Sequence, residues 1–261
     1  MTVRIAWERH GAGPQLVLVH GLGYARWGWE TVAASLAERF EVILVDNRGI
    51  GESDAPPGPY TAAEMAEDVL RVFDAARIPR AHVVGTSLGG MIAQEVALGW
   101  PDRVGRLVLA CTTPGGPSAY PLPEGTVRLM GEAPSLDPAV ALRRFVENAL
   151  APETVTRRPE LVERILAHRV ATAQTSVAWA AQAAAGAAFD AFDRLGRITQ
   201  PTLVVHGTED RVVDVRNSAI LGERIPDARV ELFPGGGHLF FWEEPERFVE
   251  TVSAFLLEDR A

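Results

Sequence analysis

The chain contains no lysine: all 25 of its basic side chains are arginine. That absence removes every mechanism built on a lysine base or a lysine Schiff base. With so much alanine and glycine, it reads as a compositional bias rather than a functional signal. Cys111 is the only cysteine, which rules out an internal disulfide and cysteine-based metal sites. It ends an apolar run and reads as a small buried hydrophobe. No apolar run approaches the roughly 18 residues of a membrane-spanning helix. The opening stretch Met1–His10 carries charges where a secretory leader needs an apolar core, so the expected location is the cytoplasm. A net charge of −9 argues against nucleic acid or an anionic membrane as partner. What remains is 261 residues, 47% hydrophobic, long enough for one large domain with a full core and an insertion.

Short apolar runs recur at Leu16–Val19, Val42–Val45, His82–Val84, Leu107–Ala110, Leu203–Val205 and Val230–Leu232. They do not alternate with polar residues, the pattern of parallel strands buried on both faces. Val3–Glu8 reads as an additional strand at the start. Helical spacing fills most of the gaps, over Trp29–Phe40, Thr61–Ala76, Leu88–Trp100, Val215–Ile225 and Pro245–Leu257. Strands alternating with helices imply an α/β fold, a doubly wound and mostly parallel sheet. The alternation breaks after Thr113. The stretch from Pro114 opens with prolines and glycines, then shows helical patterns over Pro138–Leu150, Pro159–Val170 and Thr175–Phe192, with no convincing strand. The expected organisation is therefore a core of residues 1–113 and 195–261 with a helical cap inserted at 114–194.

Within this frame, Gly85-Thr86-Ser87-Leu88-Gly89 falls between a strand-like run and a helix-like one. A serine on such a turn is forced into a strained conformation that pushes its Oγ into the open. Gly85 and Gly89 flank it because a side chain at either place would meet the neighbouring strand or helix. The following helix also aims its positive end at the reacting centre. These features mark Ser87 as a nucleophile.

A serine hydroxyl needs a base, and in open parallel sheets the reactive groups gather beyond the carboxyl ends of the strands. After Leu203–Val205 come His206-Gly207-Thr208-Glu209-Asp210, and after Val230–Leu232 come three glycines and His238. His238 is thus the candidate base, with a flexible approach to the serine. The acid candidates are Asp210, its neighbour Glu209, and Asp214 one turn on. The order Ser87, Asp210, His238 is that of a nucleophile-elbow hydrolase. Backbone amides of Leu22, in the loop His20-Gly21-Leu22-Gly23, and of Leu88 are the expected oxyanion donors. His20 reads as a structural residue holding that loop. Trp27, Trp179 and Phe240 are candidates for lining a substrate pocket, and His168 sits in a cap helix at a solvated position. The charges of Asp46–Asp54 read as a tight turn braced by ion pairs.

On these motifs the chain resembles the α/β-hydrolase superfamily over essentially its whole length. It is similar above all to the cofactor-free group of 3-oxoadipate enol-lactonases, non-haem haloperoxidases and small carboxylesterases. The matching pieces are His20–Gly23, Asp46–Asp54, Gly85–Gly90, His206–Asp210 and Gly237-His238, with Phe189-Asp190 and Phe192-Asp193 resembling the end of the cap. The resemblance implies that Asp210 is the acid, that no metal or organic cofactor is required, and that the partner is a small-molecule ester or lactone. It leaves open an enol-lactonase, a carbon–carbon bond hydrolase, a peracid-forming haloperoxidase, and a ligand sensor with vestigial hydrolysis. A serine at the elbow argues against the dehalogenases and epoxide hydrolases, which use a carboxylate there.

Overall fold

Successive side chains of a strand point to opposite faces, so an apolar run without alternation must be covered twice. The computed structural model, which describes residues 3–172 and 174–258, shows both covers. Positions 1–2 and 259–261, at the outer ends of the expected core segments, and position 173 of the expected cap lie outside the described residues. The strands are β1 (Trp7–His10), β2 (Gln15–Val19), β3 (Glu41–Val45), β4 (Ala81–Thr86), β5 (Val104–Ala110), β6 (Thr202–Gly207) and β7 (Ala228–Phe233). They form one sheet in the order β1-β3-β2-β4-β5-β6-β7. Only β1 runs antiparallel, pairing Trp7 with Val45 and His10 with Val42. It begins later than the expected Val3–Glu8 strand.

Within β2, Val17 and Val19 pack on one face while Leu16 and Leu18 pack on the other. The first face is covered by α2 (Ala62–Ala75), α3 (Leu88–Gly99) and α9 (Asn217–Arg224), the second by α1 (Ala33–Ala37) and α11 (Pro245–Leu256). Helix α2 shows why these segments are helical. Thr61 accepts from the Glu64 amide while the Glu64 carboxylate accepts from the Thr61 amide, a reciprocal cap worth about 1 kcal/mol. Its buried stripe of Met65, Val69, Val72 and Phe73 then follows the helical period. The charged turn at Asp46–Asp54 is a brace: Asp46 accepts from the Arg26 and Glu52 amides at 2.7 and 3.0 Å. Arg48 reaches the buried Asp68 at 2.5 and 3.0 Å.

Between β5 and β6 the chain leaves the sheet and forms α4 (Glu124–Glu132), α5 (Pro138–Ala149), α6 (Pro152–Arg157), α7 (Pro159–Ala171) and α8 (Ser176–Ala187). Prolines open α5, α6 and α7, where a missing N–H costs nothing. The expected helix at Thr175–Phe192 ends at Ala187, and a short 3-10 helix follows at Phe192–Arg197. One isolated bridge, Gly115 to Asp190, pins the two ends of the excursion together. A short helix α10 (Phe240–Glu243) precedes α11.

Candidate active site

Ser87 stands between the end of β4 and the start of α3 with φ 55° and ψ −120°. Positive φ in a residue other than glycine costs on the order of 1–3 kcal/mol and persists only where the surroundings over-determine it. Here they do. The Ser87 amide donates to the Ala110 carbonyl at 2.9 Å, and its own carbonyl accepts from Thr112 Oγ1 at 2.7 Å. The flanking glycines are demanded by space, as expected: a Cβ on Gly85 would lie 2.2 Å from the Gly89 carbonyl oxygen, and one on Gly89 only 2.1 Å from that of Val19. Ser87 is half-buried while Thr86 and Leu88 beside it are buried, so the turn does present this one side chain.

Asp210 follows β6 and His238 follows β7, and the parallel pairing of those strands brings the two loops side by side. His238 Nδ1 lies 2.7 Å from Asp210 Oδ2. The other carboxylate oxygen accepts from the amides of Val212 and Val213 at 2.7 and 2.9 Å. Burial alone would raise the pKa of this acid. The charge of His238 and the hydrogen bonds from His206 and His238 outweigh it and hold the carboxyl well below the ordinary range. Asp210 is therefore ionised, buried and oriented. Glu209 is exposed, and Asp214 pairs with Arg216 at 2.5 Å, so neither competes.

The three glycines before His238 are pinned rather than flexible, contrary to expectation. The Gly235 amide donates to Thr208 Oγ1 at 2.8 Å and the Gly237 amide to Glu243 Oε2 at 2.6 Å. Glycine is required at 237 because a Cβ there would lie 2.4 Å from the Ala151 nitrogen.

The loop after β2 is held from three sides. The Gly21 amide donates to His20 Nδ1 at 2.7 Å, the Gly23 amide to Gln182 Oε1 at 3.2 Å, and the Tyr24 amide to the Gly21 carbonyl at 3.4 Å. Asn47 Nδ2 adds a bond to the His20 carbonyl at 2.8 Å. Of the four amides at 21–24, these bonds engage all but that of Leu22, which borders the cavity beside Ser87 and Leu88. His20 is structural, as expected. Burial first, then the nearby charges of His238 and Arg169, push its pKa down to about 3, so the ring is neutral. Its Nε2 faces the Gly28 carbonyl, which accepts from Trp242 Nε1 at 2.7 Å, without a bond of good geometry of its own.

A cavity of about 670 Å³ opens between these loops and the helical excursion. Ser87, His238, Leu22 and Leu88 border it from below, and Met130, Phe145, Trp179 and Ala183 from above. The lining is mostly apolar. Among the described residues that form it, Arg169 is the one permanently charged side chain, and it lies over the Tyr24 ring at 5.0 Å. Cys111 is buried as expected yet touches the cavity floor, where burial and the charge of Asp210 raise its thiol pKa well above the usual value.

Three pocket expectations need revision. Trp27 does not line the cavity: it stacks on His168 at 4.8 Å and donates from Nε1 to Thr172 Oγ1 at 2.7 Å. Phe240 lies in the core against Phe233 and Phe248, because the short α10 turns Phe241 to the cavity instead. His168 is not solvated: it is half-buried and meets Glu30 at 2.9 Å. Trp179 does line the cavity. Sequence reasoning also missed Arg169, His206 and Gln182. A signal existed for Arg169, which shares a helix face with buried Val162 and Ile165 at helical spacing. Gln182 gave none, since its partners lie 134 and 159 residues away. Among the described residues no cluster of His, Cys, Asp and Glu is arranged to hold a metal, and no helix is long and apolar enough to cross a membrane.

The family model described as the alpha/beta hydrolase fold matches residues 14–245. The chain belongs to the α/β-hydrolase family. A 2-hydroxy-6-oxononadienedioate/2-hydroxy-6-oxononatrienedioate hydrolase of Paraburkholderia phymatum is 33% identical over 263 residues, covering 97% of this chain and 91% of that protein. Among solved structures, the enol-lactonase of Burkholderia xenovorans LB400 superposes with a TM-score of 0.87 at 27% identity, covering 98% of this chain and 97% of the other. The esterase of Exiguobacterium antarcticum gives a TM-score of 0.88 at 28% identity, covering 98% and 96%. This α/β hydrolase thus resembles proteins named as a dienedioate hydrolase, an enol-lactonase and an esterase alike.

Proposed function

We propose that the protein is a serine hydrolase that cleaves a carboxylic ester or lactone of a small, fairly apolar substrate through an acyl-enzyme on Ser87. The observation that carries this reading is the floor of the cavity, where a strained, presented serine and an imidazole bound to a buried carboxylate border one apolar space. In this mechanism His238 Nε2 takes the proton of Ser87 as Oγ attacks the substrate carbonyl. Asp210 keeps the Nδ1–H tautomer and stabilises the imidazolium. The amides of Leu22 and Leu88 receive the developing oxyanion, at about 3–4 kcal/mol per donor. His238 then protonates the leaving alcohol, and water, activated by the same imidazole, releases the acyl group and restores Ser87.

The test is a screen of p-nitrophenyl esters, enol-lactones and polyester fragments, with Ser87→Ala as blank. Turnover is expected on short acyl chains, with a loss on the order of 10³-fold or more in the variant. A loss below tenfold would remove Ser87 from its role. Negligible turnover with a large ligand-dependent movement of the cap would favour a sensor.

Arg169 favours a second reading on the same triad, in which the substrate carries an acidic group, as a carbon–carbon or lactone substrate with a carboxylate does. Arg169→Leu should then raise KM for acidic substrates roughly tenfold, about 1.4 kcal/mol, and leave neutral esters unchanged. Equal effects on both would discard this reading.

A further inference from the structure

Asp210 presents a single oxygen to two imidazoles. Oδ2 is 2.7 Å from His238 Nδ1 and 2.9 Å from His206 Nε2. His206 is the penultimate residue of β6 and is fully buried. Its Nε2 also lies 3.2 Å from the Val213 carbonyl, so both neighbours of that nitrogen are acceptors and it bears a hydrogen in either ionisation state. Its Nδ1 meets the buried Ser218 Oγ of α9 at 2.7 Å, which clamps the ring at both nitrogens. A ring so held cannot follow Asp210; Asp210 must conform to it.

We propose that His206 is a positioning residue of the triad: its Nε2–H fixes Asp210 Oδ2 where His238 Nδ1–H meets it, and sets how strongly that oxygen holds the His238 proton. This deepens the acyl-transfer reading above and rests on it. A donor into Oδ2 draws off electron density, so the oxygen holds the imidazolium of His238 less tightly than a carboxylate bound to His238 alone. Without His206 the imidazolium is held more strongly, and neutral His238, the form that acts as base, appears only at higher pH.

The groups facing this cluster are few. Cys111 approaches Asp210 from the end of β5, Asp214 and Ser218 approach His206 from the loop and helix after β6, and His20 faces His238 from the loop after β2. None of these supplies a second donor to Oδ2.

Three variants separate the two ends of the ring. The amide nitrogen of His206→Gln falls near Nε2 and keeps a donor toward Asp210. That of His206→Asn falls near Nδ1 and keeps only the Ser218 contact. His206→Leu removes both. In p-nitrophenyl ester hydrolysis His206→Gln should stay within about fivefold of the parent kcat. His206→Asn and His206→Leu should lose roughly 10- to 100-fold with KM within about threefold. The acid limb of kcat/KM should rise by about half a pH unit in those two alone. Titration of the His238 imidazole by NMR in the full chain reads the same shift without substrate. Folded variants with the parent's pH profile would overturn the proposal, as would His206→Gln impaired as deeply as His206→Leu. If the parent hydrolyses neither ester nor lactone, the hydrolase reading fails, and an unchanged His238 titration across the variants still overturns the proposal. Should His206→Leu not fold, the Gln and Asn pair carries the comparison.

Discussion

The sheet and the helical excursion over it are built on opposite terms. Where α3 meets the end of β2, the packing is so close that a methyl group at Gly89 would collide with the Val19 carbonyl. In α4 nothing lies within 4 Å of a methyl placed on Gly125 or Gly131, and Val127 and Met130 of that helix are exposed. The difference follows from task. The proposed triad needs groups from three loops fixed relative to one another, which a rigid layer between two covers supplies. The upper wall supplies volume and a mostly apolar lining, and apart from Gln182 of α8, which ties it to the loop after β2, α4 is held with far less constraint.

The sharpest way to break this contrast is at the acid. Asp210→Asn keeps the volume but sets an NH2 against buried N–H donors at either oxygen's place, so kcat should fall about 10²- to 10⁴-fold and the melting temperature should fall with it. A tenfold loss or less would place the orienting role elsewhere. Next in size is Gly89→Ala, expected to destabilise the protein by about 3 kcal/mol because the backbone of β2 and α3 must part. A urea midpoint unchanged from the parent would show that the elbow is looser than its contacts.

Acidification probes the same rigid layer. His20 is neutral in the fold with its pKa pushed down from 6.5 to about 3, so between those values the unfolded chain binds the extra proton. Stability should therefore fall as pH drops from 6.5 toward 3, by up to about 1.4 kcal/mol per unit from this group. Asp210 adds to the loss from the ordinary carboxylate range downward, where the unfolded chain's carboxyl takes a proton that the folded one still resists. His20→Asn keeps an acceptor for the Gly21 amide and cannot titrate, so its urea midpoints at pH 5 and 7 should differ less than the parent's. An identical pH slope would show that His20 does not drive it. The smallest effect belongs to the upper helices: Gly131→Ala should stabilise by about 0.5–1 kcal/mol, read as a rise in melting temperature, and leave kcat untouched. Destabilisation there would mean that α4 is packed as tightly as the sheet.

How much of this was legible beforehand differs by region for the same reason. Strands β2 to β6 stood out because burial on both faces leaves mostly apolar residues, whereas β7 is an exposed edge seen only from Val230 and Leu232; each expected run falls inside an observed strand except the first. The first strand is an edge with half-buried and exposed residues, so it carried little pattern. The placement of Ser87, Asp210 and His238 just past β4, β6 and β7 was legible because the end of a parallel strand is also the start of a loop, and position along the chain then gives position in space. The helices Glu124–Glu132, Pro152–Arg157 and Phe240–Glu243 were not, being short and only partly buried or followed at once by another helix. Trp27 and Phe240 went to the wrong place because aromatic identity says nothing of direction, and one residue of rotation in α10 exchanges Phe240 for Phe241.

The sequence alone determined the alternation of strands and helices, the strand-to-helix turn at Ser87 and the placement of Asp210 and His238 in the loops after β6 and β7. Local pattern and chain direction suffice for those. Only the tertiary structure decided that His206 shares Asp210 with His238, that Gln182 reaches the loop bearing Leu22, and that Arg169 is the charge over the cavity. Such contacts join groups that no periodicity relates, and they exist only once the sheet, its two covers and the helices above it have closed on one another.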